Sequence, residues 1–135
     1  KIMAIKEESG TDQKNSLTVC LDNILRHAGI TRNTEYDLAQ GKTAIQILEE
    51  NMTGVQVLDL SGCSLDAVLY YVNQDIPVLA ILEDGEAVLV TGFNEFNVVI
   101  MEPSTGKLYK KGMNDATTWF AENGNHFISY MKIDN

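Results

Sequence analysis

Residues 76–103 read IPVLAILEDGEAVLVTGFNEFNVVIMEP. Three β-rich runs, Val78–Leu82, Ala87–Phe93 and Val98–Met101, are separated by the turn clusters Asp84-Gly85 and Phe93-Asn94-Glu95. Downstream, Leu108–Tyr109 and Phe127–Ile133 continue the β character after a Ser104-Thr105-Gly106 turn. One helical stretch, about Asp115 to Glu122, interrupts this half and carries Trp119 and Phe120, expected as core and hinge of that helix. Upstream the period changes. From Asn15 to Ala28, residues Leu17, Cys20, Leu21, Ile24, Leu25 and Ala28 recur at helical spacing and form one apolar face. Asn15 or Ser16 is the natural N-cap of this helix and Gly29 its stop. Thr43 to Asn51 is a second helix, Val55 to Leu60 a short strand, and Ser64 caps a third helix that Asp75-Ile76-Pro77 ends. Residues 1–14 read as an opening strand and a polar loop. Helices first and strands later predict an α+β fold with a mainly antiparallel sheet.

The 135 residues fit one domain, 1–135, and 44% hydrophobic residues suffice for an ordinary core. No apolar run approaches membrane-spanning length. The chain begins at Lys1 without an apolar signal-peptide core and is read as a piece of a longer protein, with its compartment left open. Ten Lys+Arg stand against 19 Asp+Glu, a net charge of −9, which excludes the basic surface that nucleic-acid binding requires. Like charge keeps such a surface soluble, and it also suits a basic peptide or a cation. The acidic residues are scattered and form no calcium loop. Cys20 and Cys63, with His27 and His126 at wide spacing, give no zinc signature, so neither a metal nor a cofactor is expected.

The order of elements, with Ala28-Gly29-Ile30 closing the long helix, "Ser-Leu-Asp-x-Val-Leu-x-Tyr" from Ser64, "Ile-Pro-Val-Leu-Ala-Ile-Leu" from Ile76, "Gly-Glu-Ala-Val-Leu-Val-Thr-Gly-Phe" from Gly85 and "Val-Val-Ile-Met-Glu-Pro" from Val98, resembles the bacteriocin-processing, double-glycine leader peptidases. Those are bacterial papain-like cysteine peptidases. The resemblance covers nearly the whole chain. It implies a papain-like fold, with N-terminal helices packed on the sheet. It also implies where the catalytic groups would stand. The cysteine that opens the long helix falls at Ser16, followed by Leu17-Thr18 in place of Gly-Pro. The histidine falls at Glu86, after Gly85, and the aspartate at Glu102, before Pro103. The oxyanion glutamine falls at Gly10, with Gln13 nearby.

A papain-like cysteine works because its thiol ionises near neutral pH, helped by the helix N-terminus and an adjacent imidazolium. A serine hydroxyl needs a base instead. Glu86 is a weak one, with an ordinary pKa of about 4.3, and Glu102 beside it would push one of the two pKa values up. Ser16 has a simpler role as a helix cap. Cys20 lies one turn inside the apolar stripe and reads as core. Cys63 sits in a turn with nothing near it in sequence to activate it. His27 lies off the stripe near the helix C-terminus, and His126 begins the last strand. Glu86 and Glu102 as a glycoside-cleaving pair lack a framing run of aromatics. The reading is therefore a peptidase-like domain without catalysis, with either a binding or a purely structural role; in the binding case Ser16, Gln13, Glu86 and Glu102 line a groove for a peptide or another domain of a parent protein. The alternative is a hydrolase using Cys20 or Cys63 with His126.

Overall fold

The computed structural model describes Met3 and residues 15–133. In chain order the elements are α1 (Ser16–His27), α2 (Glu35–Ala39), α3 (Ala44–Asn51), β1 (Val55–Asp59), α4 (Leu65–Val72), β2 (Val78–Ile81), β3 (Ala87–Phe93), β4 (Asn97–Glu102), β5 (Lys107–Gly112), α5 (Met113–Glu122) and β6 (Phe127–Lys132). The strands form one sheet in the order β1-β6-β2-β3-β4-β5, and every neighbouring pair is antiparallel. The α+β class and the antiparallel sheet agree with the sequence reading.

Helices cover both faces of this sheet. Leu79, Ala87, Leu89, Met101, Ile128 and Tyr130 pack with Leu21, Ile24 and Leu25 of α1 and Ile47 and Leu48 of α3. Their alternates along the strands, among them Val78, Ala80, Val88, Val90, Ile100 and Phe127, pack with α4 and α5. A strand covered on both faces gains from apolar side chains at every position. That is why β2, β3 and β4 read as continuous apolar runs rather than as alternation. Arrangement of the N-terminal helices alone on the sheet is thus half of the architecture; α4 and α5 supply the second layer.

Helix α1 is the central packing element. Cys20, Leu21 and Leu25 have no exposed surface. The polar Asp22 is also buried, and its Oδ1 accepts hydrogen bonds from both the amide and the hydroxyl of Thr34. This staples the α1–α2 connection back onto the helix. The short α2 was not expected from sequence, since its five residues present too little apolar periodicity to show. Thr91 is the extra residue of a bulge between β3 and β4, and its carbonyl accepts the Met3 amide at 3.0 Å. Phe120 is buried against Phe127, while Trp119 is half-buried with Lys111 Nζ 4.9 Å from its ring centroid. No helix among the described residues is long and apolar enough to cross a membrane.

Candidate functional site

The N-terminus of α1 meets the start of β3. The cap of α1 is Asn15, whose Oδ1 accepts the Thr18 amide at 2.7 Å. Of the two caps that the sequence offered, Asn15 takes the role and Ser16 does not, because Asn15 already satisfies the amide that a cap serves. As the first helical residue, Ser16 instead turns its hydroxyl across to the sheet. Its Oγ donates to Glu86 Oε2 at 2.5 Å and accepts the Ala87 amide at 2.7 Å. The first contact has the length of a charge-assisted O–H···O⁻ bond.

The β2–β3 turn holds Glu86 in this place. Gly85 has φ of 86°, a left-handed conformation that a side chain disfavours. The Glu86 amide donates to Asp84 Oδ1 at 2.9 Å, and its carbonyl accepts from Leu82 at 2.8 Å. The carboxylate so positioned lies beside the first turn of α1, where the helix dipole favours negative charge.

Antiparallel pairing sets the end of β4 beside the start of β3, so Glu102 stands at the same end of the sheet as Glu86. Its carboxylate, however, turns into the following turn. It accepts from the Ser104 hydroxyl and from the Thr105 amide at 3.1 Å, and makes no hydrogen bond to Ser16 or Glu86. Glu102 does not show the rise that repulsion is expected to give one of the two carboxyls. Partial burial would raise the Glu102 pKa, but the bonds from Ser104 and Thr105 outweigh it and hold the carboxyl below the ordinary glutamate range. The structure thus joins two of the three positions by hydrogen bonds and leaves the third in its own turn. Gln13 and Gly10 lie outside the described residues.

A pH dependence follows. A carboxyl whose pKa is depressed on folding stabilises the fold fully above its unfolded value, about 4.3, and loses that contribution as pH falls through the folded value. Ser104→Ala should move the Glu102 titration midpoint upward in a carbon-detected NMR titration, with a stability loss at pH 7 under about 1 kcal/mol because the group is largely solvated. An unmoved midpoint would contradict the assignment of the shift to Ser104.

The other candidate groups do not converge. Cys20 is completely buried, and burial, with the nearby Glu102 charge, pushes its thiol well above the ordinary range. Cys63 is half-buried beside the α4 cluster. His126 is exposed, and no hydrogen bond joins it to either cysteine among the described residues. Its charge contributes to lowering the pKa of Asp59, after the larger effect of the Ser61 hydrogen bonds. His27 ends α1 and its Nε2 lies 2.8 Å from the Asp75 carbonyl. It borders a concavity of about 600 Å³ with Tyr130 and Lys132 at the opposite end of α1. The described residues contain no group of three potential metal-ligating side chains. Sequence reasoning missed the Ala87 amide, a backbone donor that no side-chain pattern signals.

Over its full length the chain superposes on a crystal structure of a candidate C39-like peptidase from Bacillus anthracis, with a TM-score of 0.79. The two chains share one fold. The match covers 100% of this chain and 99% of the other at 15% sequence identity. No family model matches the chain, and no curated protein matches it in sequence. At that identity the likeness establishes the fold and leaves the chemistry to the residues themselves. The Ser16–Glu86 contact lies within this shared fold.

Proposed function

We propose that this is a peptidase-like domain that has exchanged catalysis for binding, and that it holds a peptide at the end of the sheet where Ser16 and Glu86 meet. The observation that carries the reading is the double engagement of Ser16 Oγ. Its proton is committed to a carboxylate, and an oxygen lone pair accepts the Ala87 amide. A serine nucleophile needs a base matched to neutral pH, oriented by a third group. A carboxylate is a much weaker base than the imidazole that activates a serine nucleophile, and Glu102 bonds to its own turn rather than orienting Glu86. The alternative with Cys20 or Cys63 has less support. A buried thiol with a raised pKa supplies almost no thiolate at pH 7, and His126 is not within hydrogen-bonding reach of either sulfur.

The experiment is an NMR titration with a synthetic leader peptide ending in Gly-Gly, followed by mass spectrometry of the same sample. The expected result is fast-exchange shifts at the amides of Ser16, Glu86 and Ala87 with the peptide intact after a day. In parallel, phenylmethylsulfonyl fluoride between pH 4 and 8 should leave Ser16 unmodified. Cleavage abolished by Ser16→Ala or Cys20→Ala, or a sulfonyl adduct on Ser16, would overturn the reading on catalysis. Absence of any shift at these amides would overturn the reading on binding.

A further inference from the structure

At the other end of β3 and β4 from the Ser16–Glu86 contact, two concavities adjoin. The larger, about 620 Å³, is lined by Leu69 and Tyr70 of α4, Phe93 of the β3–β4 hairpin and Met113 of α5, with Asp66 and Glu95 at its border. The smaller, about 350 Å³, shares Glu95 and Met113 and adds Phe96 and Asp115. Each is of a size that ligand sites commonly have. Phe96 is 70% exposed and Tyr70 62% exposed, the first and third most exposed large apolar side chains among the described residues, with Tyr36 between them. Two exposed rings beside one pair of concavities are more than the scattered apolar residues of an ordinary surface.

The backbone under Phe96 is fixed. Asn94 Oδ1 accepts the amides of Phe96 and Asn97, each at 2.8 Å, and the Phe96 carbonyl accepts the Met113 amide at 2.8 Å. The hairpin tip is thereby tied to α5 with its ring turned outward. An anchor already held in place costs little entropy on binding.

Charge selects the occupant. Asp66, Glu95 and Asp115 border the two concavities; among the described residues no Lys, Arg or His lines either one, and none of the three carboxylates makes an ion pair. An Arg or Lys side chain laid here would cover the rings with its aliphatic stem and stack its charged head, while the carboxylates accept its protons. A planar guanidinium does both better than an ammonium. An acidic or uncharged apolar segment would leave the three carboxylates unpaired beside it.

We propose that the surface formed by Tyr70, Phe93, Phe96 and Met113, with Asp66, Glu95 and Asp115, is a docking site for an arginine-containing basic peptide segment of another protein. It is separate from the former catalytic end of the sheet and stands whether or not that end binds a peptide.

The test uses the whole chain, isotope-labelled, and a fluorescent nine-residue peptide alternating Arg and Leu, with Lys-for-Arg and Glu-for-Arg versions as comparisons. The Arg peptide should bind, the Lys peptide at least threefold more weakly, and the Glu peptide not at all. Amide shifts should fall within residues 66–73, 93–97 and 112–116. Phe96→Ser should weaken binding at least fivefold, and Glu95→Lys at least tenfold. Glu49→Lys, an equal change of charge on α3, should alter it less than twofold. Both parent and Phe96→Ser should sediment as the same species. Equal losses from Glu95→Lys and Glu49→Lys would reduce the effect to overall charge and overturn the proposal. Shifts centred on Ser16 and Glu86 would overturn it by moving the peptide to the other end. Self-association of the parent chain that Phe96→Ser abolishes would overturn it by making a second copy the occupant.

Discussion

Leu21→Ala should cost about 2–5 kcal/mol of stability, the usual penalty for removing a fully buried leucine and leaving a cavity. Leu21 lies in the middle of α1 with no exposed surface, in the cluster that includes Ile24, Leu25, Leu89, Met101 and Ile128. The neighbouring atoms belong to a helix and a sheet that are both held from several sides, so collapse into the cavity is limited and the loss should lie toward the upper half of the range. For a domain of this size about 3 kcal/mol corresponds to a fall in melting temperature of about 10 °C. Tyr36→Ala, at a position 69% exposed on α2, serves as the comparison and should change stability by no more than about 0.5 kcal/mol. Urea unfolding of the three proteins measures this directly. A loss below about 1 kcal/mol for Leu21→Ala would mean that α1 does not pack on the sheet as described.

The same helix shows how far the sequence could be read. Its apolar stripe is a local pattern at a fixed period, and the helix found, Ser16–His27, lies within a residue of the expected limits at each end. The strands from Val78 to Glu102 were legible because burial on both faces leaves them continuously apolar and bounded by turn residues. The edge strand β5 was legible only at Leu108 and Tyr109. Its full extent, Lys107–Gly112, is hidden by the three lysines that a solvent-facing edge tolerates and that discourage pairing with another chain. Helix α2 depends on the tertiary bond between Thr34 and Asp22 more than on its own five residues. The site divides in the same way. The meeting of Ser16 and Glu86, 70 positions apart, was accessible through the resemblance to a fold. The turning of Glu102 toward Ser104 and the capping of α1 by Asn15 rather than Ser16 were not, because each is a choice between adjacent hydrogen-bonding partners. The face around Phe96 gave no signal at all, since an aromatic residue beside a turn is as often buried as exposed.

The second large effect concerns chemistry restored rather than stability lost. On the proposed reading, Ser16 and Glu86, joined by a hydrogen bond, stand where a nucleophile and its base would stand, with other side chains in their place. A cysteine at position 16 would have a thiol at the start of α1, which lowers its pKa, beside the Glu86 carboxylate, which raises it. Changing Glu86 to histidine replaces the opposing charge with an imidazole whose protonated form stabilises a thiolate. The two variants therefore differ by the sign of one neighbouring charge at hydrogen-bonding distance. In a Cys63→Ser background, with Cys20 shielded by complete burial, the only thiol open to reagent is the new one. The most direct test of the account is the pH profile of iodoacetamide alkylation at position 16 in Ser16→Cys and in Ser16→Cys/Glu86→His, read by mass spectrometry. The single variant should react with a midpoint at or above the ordinary thiol value of about 8.5, and the double variant at least one unit lower, in the range of about 3.5–7.5 seen for activated cysteines. Identical profiles for the two variants would show that positions 16 and 86 do not form the paired site of a papain-like peptidase, and would contradict the account.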